Sequence, residues 1–510
     1  MAIRQTPRYK QMSLETAVRN PERYKEILAA LIRFENVVLN DDNLLDIVVH
    51  LYKEGIVSAT NAEFENLNLS QQRQLVKRVN STRRADGGFP QGYPSRFWTY
   101  MRTLSEFGFV KAEYNKPLMI SRIAKLLVDQ KIDDQIAFAT QSAIYNRKSP
   151  FRNVSNDFNY FCFITEVLVK LNEDSKGLTY EQFIVSLFSK EGNVDDFINE
   201  IKLNTFADEN TVYEYVVNVY EANNKQHTIT RDYPDAVLRL LKITGFISIK
   251  YSSRVVLYLN TDKIDLIKEI FSKKYSFTEE QKLDKELFYE QYLAYSDALL
   301  KITATWTGEQ NEDVHKKLKL VVDNYSIDSA KIITMLNDFQ ANKDKEFKYV
   351  PAPLKLEFYL SLMLYLTYGD THIVAPNYKS DSLGMPISHA PGNHGDIYVY
   401  SEFINWLIEV TMIRNKQQQL NSETTSVVRH LEEDTRDSYL SFVAPYVHED
   451  TKTFFDNALI GMIMNDRTVY LKTYAIEEFV NDTKNASNLM TMKAYFNNIH
   501  ELAKRKFSSH

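Results

Sequence analysis

Three observations predict that this 510-residue chain is a multidomain α+β protein. Its length is enough for about two to four separate cores. With 44% hydrophobic and 25% charged residues, its composition is that of an ordinary globular protein. The apolar patterning also changes character along the chain. It is helical with two helix–glycine–hairpin phrases at first, then charged and helical, then alternating strand and helix. The divisions this predicts are 1–148 and 149–275, each ending in a winged-helix-like unit, then a helical linker at 276–350 and a mixed α/β domain at 351–510. No apolar run is long enough to span a membrane, and the N-terminus lacks a signal-peptide core. The lone Cys162 rules out an intramolecular disulfide and cysteine-cluster zinc sites. It is expected in the core, and a cytoplasmic location is expected.

In order, Asn20 and Pro21 read as the N-cap and first residue of a helix running to Ile32. Asp41 to Leu51 is a second helix, ending near Gly55. Ser95 to Phe107 is a helix stopped by Gly108, and Phe109 to Ser121 reads strand, turn, strand, with Ser121 capping the helix that follows. The phrase recurs: Tyr233 to Thr244 is helical, Gly245 stops it, and Phe246 to Leu259 is a hairpin turned at Ser252-Ser253. Helix, glycine and hairpin in that order are the end of a winged helix, a variant of helix-turn-helix. Between the two units the chain reads as helical, one segment starting at Thr179. From Thr278 to Lys345 the chain is charged and helical. Pro353 opens a helix that ends by Gly369. A long loop, a hairpin and a helix from Glu423 to Glu433 follow. Then come a strand at Tyr439–Pro445, a helix at Thr451–Leu459, a strand at Thr468–Leu471 and a helix from near Tyr474.

The net charge of −6 argues against a chain that is basic throughout, but a binding footprint is local. Between Val76 and Lys125 ten basic residues face three acidic ones, so that stretch suits a polyanion. Arg83, Arg84, Arg96 and Arg102 surround the first winged-helix-like unit and are candidate DNA contacts. Lys225, Arg231, Arg239 and Arg254 are their counterparts near the second. A solvated basic face is the bland reading of the same residues.

The candidate chemistry lies in Gly392-Asn393-His394-Gly395-Asp396-Ile397-Tyr398-Val399-Tyr400, followed by Phe403 to Thr411. The pattern predicts a hairpin with Asp396 entering one strand and Glu409 near the end of the next. Paired strands bring such carboxylates together, and side-by-side carboxylates bind a hard divalent cation. Glu409 stands among Trp406, Leu407, Ile408 and Val410, where a carboxylate is costly to bury without a partner. Glu423 and His430, seven residues apart, share a helix face, and Glu357 lies on an earlier helix. His389 and His394 read as loop residues. No GxxxxGK[ST] pattern is present, which disfavours an ATP-driven enzyme.

On these residues the C-terminal third resembles the AlwI family of type II restriction endonucleases, a branch of the PD-(D/E)xK nucleases. The matching text is Ile387 to Asn393 leading to Asp396, then Glu409-Val410-Thr411, Glu423, Arg429-His430 and Phe442 to Pro445. The resemblance extends, more loosely, over nearly the whole chain. It implies Asp396 and Glu409 as Mg²⁺ ligands, Glu357 beside them, and Glu423 and His430 as further active-site residues. It also implies double-stranded DNA as substrate, cut at a fixed distance outside a short asymmetric site. Thr411 stands where the nuclease motif has Lys, leaving Lys416, Arg414 or His430 to supply positive charge. The family's strand-specific nicking enzymes and heterodimer subunits imply alternatives: cutting one strand, or pairing with a second nuclease domain or partner subunit. A cognate DNA methyltransferase is a further implied partner. Outside the resemblance, the residues also allow a winged-helix regulator without catalysis, or a protein-interaction scaffold.

Overall fold

The computed structural model describes residues 8–56, 67–81, 94–305, 311–389, 394–402, 404–414, 416, 419–420, 424–433, 438–465, 469–486 and 488–508. The chain forms two compact units, Met1–Thr307 and Gly308–His510. Among the described residues no helix is long and apolar enough to cross a membrane.

The first unit starts with α1 (Arg23–Leu31), α2 (Asp41–Lys53), α3 (Leu69–Ser81) and α4 (Pro94–Glu106). α1 begins two residues later than expected. Glu22 rather than Asn20 is its N-cap, and it supplies no side-chain cap. Asn40 does cap α2, accepting from the Asn43 N–H. After α4 the chain turns at Gly108 (φ +64°), where a Cβ would strike the Tyr292 ring, so glycine is required twice over. β1 (Val110–Lys111) and β2 (Met119–Ile120) then pair antiparallel. Residues 36–39 lie along 116–118, with Asn36 and Leu118 joined by a backbone hydrogen bond, so an earlier segment flanks the hairpin on its second-strand side. Ser121 caps α5 (Arg122–Val128), as its place after the hairpin predicts.

α6 (Asp134–Ile144), α7 (Tyr160–Glu173), β3 (Leu178–Thr179), α8 (Tyr180–Ser186), α9 (Val194–Leu203) and α10 (Glu209–Tyr220) lead to α11 (Tyr233–Ile243). Thr179 and Gln182 form a capping box that starts α8. Gly245 (φ +71°) ends α11. β4 (Ile247–Tyr251) and β5 (Val255–Leu259) form the second hairpin, and β3 adds to β5, giving the order β3–β5–β4. Both halves of the unit therefore share one arrangement: an early segment, helices, a left-handed glycine, and a hairpin whose second strand meets that early segment. Cys162 is half-buried on α7 rather than enclosed in the core.

α12 (Ile264–Ser272), α13 (Glu279–Leu283) and α14 (Lys285–Thr303) complete this unit. The stretch expected as one linker, 276–350, is helical but is divided between the units. α14 packs on α6, where the Tyr292 hydroxyl donates to the Gln141 carbonyl at 2.5 Å and the Thr303 and Thr140 hydroxyls meet at 2.6 Å. α15 (Asn311–Tyr325) and α16 (Ser329–Gln340) instead pack on α17 (Ala352–Tyr368), through His315 on Tyr365 and Phe339 on Tyr359. Apolar faces decided the split, because both sets of helices have a core to cover.

The second unit is built on a five-stranded sheet. Its strands are β6 (Ile373–Pro376), β9 (Ile397–Tyr400), β10 (Asn405–Val410), β11 (Ser438–Ala444) and β12 (Val469–Ala475), in the order β12–β11–β10–β9–β6. β7 (Lys379–Ser380) and β8 (Pro386–Ser388) form a separate small hairpin. β9 is antiparallel to both β6 and β10, whereas β11 and β12 run parallel to β10. Parallel neighbours need crossovers. α18 (Thr424–Glu433) supplies the first and α19 (Glu449–Met464) the second. β10 is the middle strand, buried on both faces. On one face Trp406 packs against Tyr368 of α17, Phe479 of α20 (Ile476–Asn485) and Phe496 of α21 (Leu489–Ser508), and its indole N–H donates to Ser441 Oγ at 2.9 Å. On the other, Leu407 joins Val427 and Leu431 of α18 and Phe455 and Leu459 of α19. The long loop expected before the hairpin contains β6, β7 and β8.

Candidate active site

The hairpin register sets the geometry. Ile397 pairs with Ile408, so one step further Asp396 comes opposite Glu409. Directly opposed residues of an antiparallel pair share a face. That face is the one carrying Leu407 and covered by α18 and α19. Asp396 Oδ2 accepts from the Val410 N–H at 2.7 Å, fastening the acid to the neighbouring strand. The Asp396 carbonyl accepts from the Asn377 N–H at 2.8 Å, and the Asn377 side chain donates to the Gly395 carbonyl. Gly395 leaves room: a Cβ there would lie 2.2 Å from Leu407 Cδ1 and 3.0 Å from Glu409 Oε1.

Glu409 is 7% exposed, so its charge requires a partner. His430 provides one, its Nδ1 lying 2.7 Å from Glu409 Oε1. A carboxylate can only accept, so Nδ1 donates to it. Nε2 is buried and makes no hydrogen bond among the described residues. The expected contact between α18 and the hairpin is therefore made by His430. Glu423 lies outside the described residues.

Glu357, on α17, is 4% exposed and has a different partner. His389, just past β8, places Nδ1 at 2.7 Å from Glu357 Oε1, while Glu357 Oε2 is buried with no hydrogen bond among the described residues. His389, read from sequence as a loop residue, is thus the functional candidate that sequence reasoning missed. Its acid partner is 32 residues away, so spacing gave no signal. His394 is exposed.

Thr411 extends β10 by donating its N–H to the Val443 carbonyl at 3.0 Å, and its buried hydroxyl accepts from the Ile413 N–H. Of the cations considered in place of the motif Lys, Lys416 is tied to Asp450 at 2.7 Å and Arg414 is exposed. His430 touches the hairpin carboxylates' side of the sheet directly. Among the described residues no three of His, Cys, Asp and Glu converge closely enough to cage a metal ion. Mg²⁺ does not need such a cage: it keeps several waters and binds through one or two carboxylates plus substrate phosphate. Asp396 and Glu409 are two carboxylates opposed on one face of the sheet that could hold it in that way.

The expected DNA contacts sit in different surroundings. Arg83 and Arg84 lie outside the described residues, and Arg96 is in the first turn of α4. Arg102 is ion-paired with Glu15. Arg231 is exposed and pairs with Glu209 at 2.9 Å. Arg239 points inward, donating to Asp235 at 3.0 Å and to Asn20 Oδ1 at 2.9 Å, so its guanidinium is committed within the unit.

The model of the AlwI restriction endonuclease family matches residues 105–350 and 298–481. This chain belongs to that family. As an AlwI-family protein it is a restriction endonuclease, a nuclease acting on DNA. Among solved structures, restriction endonuclease FokI aligns at 12% identity and a TM-score of 0.25, over 96% of this chain and 99% of that one. The small subunit of the heterodimeric restriction endonuclease R.BspD6I aligns at 19% identity and a TM-score of 0.26, over 34% of this chain and 95% of its own. The BpuJ1 endonuclease binding domain, in complex with modified DNA, aligns at 12% identity and a TM-score of 0.32, over 54% and 91%. No curated protein matches the chain.

Proposed function

We propose that this chain is a type IIS, Mg²⁺-dependent endonuclease. In this reading its first unit binds a short asymmetric sequence of double-stranded DNA, and its second hydrolyses phosphodiester bonds at a fixed distance outside it. The observation that carries the reading is the Asp396–Glu409 opposition on β9 and β10, with His430 held on Glu409. Mg²⁺, when bound by those two carboxylates, supplies an activated water and relief of charge on the phosphorane and leaving oxygen. Glu409 fixes the His430 ring so that Nε2 can accept a proton from the attacking water or orient it. Asp396 is held to the Val410 N–H, which fixes the carboxylate against its partner strand. Glu423 belongs to the same proposal. Glu357 and His389 form a second acid–imidazole pair in the same unit, which belongs to the same proposal.

In the first unit, 1–148 and 149–275 are proposed as two winged-helix recognition subdomains. The strand order β3–β5–β4 and its echo at 36–39 support this. One such hairpin per chain is one centre and cuts one strand. Cutting both strands then takes a second nuclease domain, from another copy or a partner subunit, and a chain without either is a nicking enzyme. A methyltransferase protecting the same site in the host is the expected companion. The test is incubation of long DNA with Mg²⁺ and sequencing of the ends, with Asp396→Asn alongside. Discrete ends lost in the variant are expected, whereas equal cutting by the variant would move the active site elsewhere.

A further inference from the structure

We propose that a basic cleft in the first unit is a docking site for the phosphates of duplex DNA; this rests on the DNA-binding reading above and adds residues to it. The cleft has a volume of about 730 Å³ and is lined by Arg8, Lys10, Arg147 and Lys190, with Tyr9 and Glu221 among their neighbours. Two further cations of its wall are already neutralised, Arg102 by Glu15 and Arg152 by Glu106. The other four are not. Arg8, Lys10 and Lys190 are exposed and have no carboxylate partner among the described residues. Lys190 leans over the exposed Tyr9 ring at 5.9 Å.

Arg147 is the unusual member. It is 2% exposed, and its terminal nitrogens donate to the carbonyls of Gln11 at 2.7 Å and Ser13 at 3.2 Å, while Nε has no partner among the described residues. Its charge is held beneath the cleft on carbonyl oxygens, and the Glu106 carboxylate that attracts it is already paired with Arg152, so an anion arriving from outside would be favoured. The same bonds, with Ser155 N–H donating to the Arg8 carbonyl and Lys10 N–H to Asn156 Oδ1, pin the 8–13 segment to the unit. Arg8 and Lys10 are thus presented from fixed backbone. Among the described lining residues Glu221 is the one acid, and it is not paired with these cations, so that lining is positive on balance. A phosphate chain meets that requirement with charge and oxygen acceptors together.

The test uses the full chain, EDTA to prevent cutting, and a 30-base-pair random-sequence duplex titrated at several NaCl concentrations. The wild type is expected to bind with a steep loss of affinity with salt. R8A/K10A/K190A is expected to flatten the plot of log K against log[NaCl] by about 0.9 for each phosphate no longer neutralised, and to weaken binding at every salt. K131A/K202A/K268A removes three exposed lysines elsewhere on the unit and is expected to leave the slope as it was. Thermal melts check that both triple variants fold, and K190E alone repeats the test with one exposed side chain. A wild-type slope in R8A/K10A/K190A and K190E would overturn the cleft while leaving the DNA-binding reading intact. Absence of salt-dependent duplex binding by the wild type would overturn both.

Discussion

His430 and Glu409 make the sharpest residue-level claim. Removing the imidazole (His430→Ala) is expected to lower kcat by about 10²–10⁴, with DNA binding retained, measured by single-turnover cleavage against binding in EDTA. Glu357→Gln and His389→Asn break the second pair without touching the first. Each is expected to cost about 10–100-fold in activity, the range for residues that orient rather than perform chemistry. A double variant no worse than either single one would show that the two act as a unit. Legibility at this scale followed sequence distance. Glu409 was conspicuous because an acid stood among apolar neighbours, and Asp396 because it ended a Gly-rich run. His389 was not, because its partner sits on α17, and neither was the contact of Arg239 with Asn20, 219 residues away.

At the scale of elements, the turns were the most readable feature. Gly108 and Gly245 were located from sequence alone, and both adopt positive φ, since a helix running into a hairpin needs a residue free of Cβ strain there. At Gly245 a Cβ would also come within 1.9 Å of Gln135 Nε2. Gly245→Ala is therefore expected to destabilise the protein by more than about 1 kcal/mol, read as a lower urea midpoint at unchanged slope. The hairpin of β9 and β10 was legible because its apolar alternation is clear. β6 and β8 were not: both are short, and each carries a proline, which reads as loop. β3 was missed for the same reason of length, at two residues.

For the whole molecule, the chain divides into two units at 307/308, inside the stretch 276–350 read from sequence as one helical linker. Periodicity reported that 276–350 is helical. It could not report which core each helix covers, because that depends on partners far along the chain. A single centre per chain makes a kinetic prediction. Supercoiled plasmid should pass through the nicked circle, and the linear form should rise with protein concentration, as followed by gel. Linear product formed at a rate independent of concentration would instead require both cuts from one chain.

In the proposed function Asp396 and Glu409 together hold the divalent ion. Anomalous diffraction from crystals of the chain with duplex DNA and Mn²⁺ tests this at the atoms concerned. An Mn²⁺ peak with oxygen ligands from both residues is expected. A peak elsewhere on the protein, with both carboxylates free of metal, would contradict it.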